Sequence, residues 1–206
     1  MNDTTETQAK PRKEEILDVA TRLFAERGYE GTSMNDVAER VGMRKASLFY
    51  HFATKDALYE AVLDRLVATL RDALEAIYAS TGSYAERIQA VTDTVVNVLG
   101  THPFAARLLL REAMDWGPVI QGKLGDHIIE VLEAGAAFVR AGQADGAFVE
   151  GDPKQIVISA IGIHFLPFAL GQLVERYTGS NVFEPRFVEA RRVAVRAQAL
   201  DLHLKR

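Results

Sequence analysis

The sequence predicts an all-α fold, a nine-helix two-domain chain with an N-terminal three-helix, helix-turn-helix head on a larger helical bundle. Three observations predict it. Apolar residues recur at three- and four-residue spacing along most of the 206 residues, strand-like alternation is scarce, and the 6 Pro rarely interrupt a periodic segment. With 48% hydrophobic and 25% charged residues the composition is that of an ordinary globular chain. The absence of Cys excludes a disulfide scaffold, a cysteine metal site and a thiol nucleophile.

Taken in order, the first helix is expected from Arg12 to Arg27, where Ile16, Ala20, Leu23 and Phe24 share a face and Gly28 stands at the end. Gly31, Thr32 and Ser33 then open a short second helix with a hydroxyl as its cap. Its apolar positions are Met34, Val37, Ala38 and Val41, and Gly42 ends it. A third short helix, Arg44 to Phe52, begins within three residues, and two short helices joined by a tight glycine turn are a helix-turn-helix signature. Thr54 caps a long fourth helix, Lys55 to Ser80, striped by Leu58, Val62, Leu66, Leu70 and Leu74. After the break at Thr81, Gly82 and Ser83, helices are expected over 84–99, 103–115, 118–142, 153–177 and 185–202. Pro103, Pro118, Pro153 and Pro185 stand near their starts, where a missing N–H removes no helical bond.

The net charge of −4 argues against a polyanion partner until its distribution is read. Between Arg40 and Lys55 fall four of the 24 basic residues (Arg40, Arg44, Lys45, Lys55) and none of the 28 acidic ones. A compact cationic patch on an acidic body suits a polyanion-binding site, although a solvated helix face has the same pattern. Leu48 and Phe52, four residues apart, form an inner side for the third helix and leave Lys45, Ser47, Tyr50 and His51 for the outer one. Those outer groups can reach base edges and phosphates. Thr32 and Ser33, with the N–H groups beside them, make a phosphate seat at the start of the second helix.

These residues carry a resemblance. The stretch from Ile16 to Ser33 (ILDVATRLFAERGYEGTS), followed by DVAERVGMRKASLFYHF and KDALY, resembles the DNA-binding head of the TetR family over roughly residues 12–62. The resemblance implies a larger C-terminal domain that binds an effector and dimerises, so residues 1–11 read as a disordered tail, 12–54 as the DNA-binding domain and 55–206 as the effector-binding and dimerisation domain. It also makes Lys55 similar to the family's backbone-contacting lysine. Arg44 departs from the family pattern, standing where Ser or Thr commonly caps the third helix. Phe49 stands where Tyr often offers a hydroxyl, and Ala46 replaces a frequent Gly. The expected DNA-binding set is Thr32, Ser33, Arg44, Lys45, Ser47, Phe49, Tyr50, His51 and Lys55.

In the C-terminal part, aromatic and Met residues concentrate in two places that suit an effector cavity: Phe104, Leu108, Arg111, Met114 and Trp116, and Phe138, His164 and Phe168. The same residues serve equally as plain core. By the resemblance the last two helices form the dimer face, with Ile156, Ala160, Ile163 and Leu170 as its grip. His51, His102, His127, His164 and His203 show no metal-binding spacing, and no catalytic fingerprint occurs, so no metal, cofactor or enzymatic activity is expected. The polar first fifteen residues and the lack of a span-length apolar stretch predict no membrane partner and a cytoplasmic chain.

The implied function is a ligand-responsive transcriptional repressor, homodimeric on palindromic double-stranded operator DNA and released by a small-molecule effector. An effector-independent regulator or activator, and a helical small-molecule-binding protein with a vestigial head, fit the same residues.

Overall fold

The computed structural model describes the backbone of residues 6–117 and 119–204, and the side chains of 12–117, 119–201 and 204. Among the described residues ten helices form an all-α chain: α1 (Glu6–Arg27), α2 (Met34–Val41), α3 (Lys45–His51), α4 (Lys55–Tyr78), α5 (Tyr84–Thr101), α6 (Ala105–Met114), α7 (Lys123–Ala144), α8 (Pro153–Ala169), α9 (Gly171–Thr178) and α10 (Pro185–His203). The tenth helix arises because the expected 153–177 segment is broken. Pro167 removes one helical hydrogen bond, Leu170 leaves helical geometry, and α9 departs from α8 at 75°.

Other boundaries move for local reasons. The first helix starts at Glu6 rather than Arg12, and Pro11 falls within it. Of the tail expected over 1–11, residues 1–5 lie outside the described residues. Helix α6 begins two residues after Pro103, and α7 begins at Lys123 because residues 115–116 and 119–122 form turns instead; Pro118 lies outside the described residues. Pro153 and Pro185 do open α8 and α10.

The chain divides into two compact units within α4, at Leu66 and Val67, rather than after residue 54. In the first, Ile16, Phe24, Val37, Leu48, Leu58, Val62 and Leu63 are completely buried, so the first three turns of α4 are part of the head's core. Ser33 caps α2 through a reciprocal box with Asp36. Gly42 closes that helix at φ +72°, a conformation glycine adopts without strain, and Met43 N–H returns to the Ala38 carbonyl at 2.9 Å. Thr54 caps α4 as expected, accepting from Ala57 N–H at 3.0 Å.

In the second unit α10 packs on α5, while α8 packs on α5, α6 and α7. Tyr78, Tyr84, Phe138 and Phe148 form an aromatic cluster with neighbouring centroids 5.0–5.6 Å apart.

Candidate functional site

In the first unit, α3 is a seven-residue helix with two unlike sides. Leu48 and the following Phe52 are buried, whereas Arg44, Lys45, Ser47, Phe49 and Tyr50 face solvent and His51 is half-buried. Tyr50 is 88% exposed and meets His51 edge-on at 5.7 Å between centroids. Lys45 Nζ lies 5.7 Å from the centroid of the Phe49 ring, so Phe49, lacking a hydroxyl, serves as an apolar support for a cation. Arg44 begins the helix with no side-chain cap, which leaves its guanidinium outside the helix. Six of the nine expected DNA-binding residues thus lie on α3 or at its N-cap, five of them exposed.

The other three are differently placed. Thr32 is buried, and its hydroxyl donates to the Leu23 and Gly28 carbonyls at 3.1 and 2.9 Å while its N–H goes to Tyr29 O. Ser33 spends both its N–H and its hydroxyl on Asp36. The expected phosphate seat is therefore filled by a carboxylate of the same helix. Asp36 is held below the ordinary carboxylate pKa by those Ser33 hydrogen bonds, with Arg27 assisting. Lys55 donates to Tyr29 O at 3.0 Å and sits 4.0 Å from the centre of the Tyr29 ring, while Tyr29 O–H donates to Asp56. These groups tie the turn after α1 to the start of α4, a positioning role that short polar residues at a helix start do not distinguish from ligand contact in sequence.

The second unit contains a partly open cavity of about 380 Å³. Its wall draws Val67, Leu70, Leu74 and Tyr78 from α4, Thr92 from α5, Leu110 and Ala113 from α6, Ile120 from the turn after it, and Val157, Ala160 and His164 from α8. Of the residues expected around an effector, Phe138 and His164 line it. Leu108 and Phe168 are buried elsewhere, and Phe104 is half-buried at the start of α6. Arg111, Met114 and Trp116 face solvent, Arg111 lying 3.9 Å from Asp115. The helical repeat explains the miss: on α6 it is Leu109, Leu110 and Ala113 that border the cavity, while Arg111 and Met114 take other, exposed positions.

The four residues expected in a dimer face also separate. Ile156 and Ala160 line the cavity, Ile163 is half-buried, and Leu170 is exposed. Leu170 instead belongs to a stripe with Ile158, Leu166, Leu173 and Tyr177, and Gly162 opens onto free space between them. The spacing of this stripe is legible in the sequence, but α8 is apolar on most sides, so its periodicity does not say which side faces in. Among the described residues no group of three or more His, Cys, Asp or Glu could hold a metal, and no single helix is long and apolar enough to cross a membrane.

Comparison with known proteins agrees with this architecture. Residues 16–62 match the family of bacterial regulatory proteins, tetR family. The chain is similar to the HTH-type transcriptional regulator RutR of Escherichia coli (strain K12), 27% identical over 178 residues, 85% of this chain and 82% of that one. It is also similar to the biofilm operon icaADBC HTH-type negative transcriptional regulator IcaR of Staphylococcus aureus, 50% identical over 48 residues, 23% of this chain and 26% of that one. Among solved structures, the ketosteroid transcriptional regulator KstR2 of Mycobacterium tuberculosis superposes with a TM-score of 0.78 at 20% identity, over 95% of this chain and 96% of that one.

Proposed function

The chain belongs to the TetR family of bacterial regulators through its helix-turn-helix head, and on that premise we propose that it is a homodimeric repressor whose grip on a palindromic operator is released by a small molecule. The observation that carries this reading is the outer side of α3, where Lys45 and Tyr50 project from a helix held down by Leu48 and Phe52. Tyr50, Ser47 and His51 suit base edges and thymine methyls, and Arg44 and Lys45 suit phosphate or guanine. A palindrome requires two such helices about 34–36 Å apart, which is the task of a dimer. The stripe of Ile158, Leu166, Leu170, Leu173 and Tyr177, with Val193 on α10, supplies apolar surface for one.

Release requires an effector that binds better to the conformation with the wrong head spacing, and the coupling equals that difference in affinity. Helix α4 is suited to carry it, since Leu58 and Val62 belong to the head's core while Val67, Leu70 and Leu74 line the cavity. A DNA partner places the work in the cytoplasm. The test is footprinting on the DNA flanking the chain's own gene. A protected palindrome supports the reading, and protection nowhere in the genome overturns it in favour of a ligand-binding protein with an idle head. Protection that persists across a metabolite panel identifies an effector-independent regulator.

A further inference from the structure

We infer that the cavity selects an uncharged, flat, largely apolar molecule with one hydrogen-bond donor, a phenol or aryl amine, seated on the Thr92–His164 pair. This rests on the ligand-responsive reading above. Its volume of about 380 Å³ equals that of roughly a dozen water molecules in the liquid, the scale of two or three fused or linked rings. Its wall holds no Asp, Glu, Lys or Arg; the polar members are Tyr78, Thr92 and His164. Burial pushes the Tyr78 phenol up to about 12, so it adds no charge either. A carboxylate or sulfonate would leave water with no Lys or Arg to meet it. Tyr78 stacks on Phe138 at 5.1 Å between centroids, and both line the space, giving a planar guest an aromatic wall.

The polar pair has a direction. The Ala160 carbonyl can only accept, so its 2.7 Å contact puts a proton on His164 Nδ1. When the ring carries only that proton, Nε2 is an acceptor to which the Thr92 hydroxyl, 3.4 Å away, can donate. The Thr92 oxygen retains lone pairs for an incoming donor, which extends one chain of hydrogen bonds from guest to Thr92 to His164 to Ala160. At this pair, a guest that only accepts would have to draw the Thr92 proton off Nε2.

The full chain is titrated by fluorescence with N-phenyl-1-naphthylamine, which is uncharged and carries an N–H, and with 8-anilino-1-naphthalenesulfonate, which keeps the rings and N–H and adds a sulfonate. The uncharged probe should bind at least about tenfold more tightly. Thr92→Val should weaken it by about five- to tenfold, as loss of one hydrogen bond does, and Ala160→Phe should abolish it by filling the cavity. Equal binding of the two probes, no binding of the uncharged one, or binding that both variants leave unchanged overturns the inference. Footprinting with the uncharged probe separates the two readings: operator protection that survives saturation of the cavity defeats the ligand-responsive reading and leaves the ligand class standing. Release by the sulfonate at equal affinity does the reverse.

Discussion

Arg191 of α10 donates through Nη2 to the backbone carbonyl of Ile163 in α8, the acceptor that Pro167, four residues on, cannot satisfy. A proline in a helix frees the carbonyl of residue i−4, and here a guanidinium from a neighbouring helix takes it up. Burial presses the Arg191 pKa below its ordinary value, the cost of bringing a cation to that position. Arg191→Met should destabilise the chain by about 1 kcal/mol, as loss of a part-buried hydrogen bond does. Adding Pro167→Ala supplies the missing N–H and should recover most of the loss. Urea unfolding of the four proteins measures the coupling, and strictly additive effects would show that the two sites are independent.

The head carries a pH-sensitive cap. Asp36 has a folded pKa below its ordinary 3.8 because the Ser33 hydroxyl and N–H both donate to its carboxylate. A depressed carboxylate pKa contributes stability that is fully present above the unfolded value and disappears as pH falls through the folded one. Thermal stability of the head should therefore decline below pH 3.8 in part through Asp36. Ser33→Ala should return the carboxyl pKa toward 3.8 and lower Tm at neutral pH by a few degrees. Carboxyl carbon chemical shifts followed against pH read the first effect. An Asp36 titration identical in the two proteins contradicts it.

On the outer side of α3 the two exposed groups should fail in different ways. Tyr50→Ala removes a group suited to base edges and should cost about 1–3 kcal/mol on the operator with little effect on unrelated DNA. Lys45→Ala should weaken binding to all sequences and lower the slope of log affinity against log salt by about 1. Gel shifts at several salt concentrations, with sedimentation to verify the assembly, distinguish these outcomes. Unchanged affinity and slope in both variants would mean that another surface holds the DNA.

The head was legible because each of its short helices has one buried side and a punctuating residue. Gly42 and Thr54 mark ends, and Leu48 with Phe52 fixes which way α3 faces. Thr32 and Lys55 share one ambiguity: a hydroxyl or ammonium that organises a turn has the same sequence signature as one that meets a ligand, and the structure adds only that they meet Leu23, Gly28 and Tyr29 within the chain. In the second unit apolar residues cover most sides of α8, so Ile156 and Ala160 could not be assigned to the cavity, nor Ile158 and Leu166 to the surface, without knowing what packs where. Trp116 and Met114 drew notice by residue type alone, and both are exposed.

The last prediction concerns Glu112, a buried carboxylate on α6 whose Oε1 accepts from Val119 N–H at 3.1 Å and Ile120 N–H at 3.2 Å. It thereby holds the turn that carries Ile120 into the cavity wall. The turn needs such an anchor, since Trp116 sits at φ +49°, a left-handed conformation costly for a residue with a Cβ, and Gly117 passes so close that an added Cβ would collide with the Glu112 carboxylate. Glu112→Ala should release both amides and speed their hydrogen exchange by at least about tenfold, the effect of losing about 1.4 kcal/mol of local protection. Gly117→Ala should mimic it by displacing the carboxylate. Glu112→Gln keeps an acceptor oxygen of the same reach and should stay close to the parent. If Gln behaves as Ala does, the charge rather than the two hydrogen bonds anchors the turn; if none of the three changes exchange at Val119 and Ile120, the wall at this point is held by packing alone.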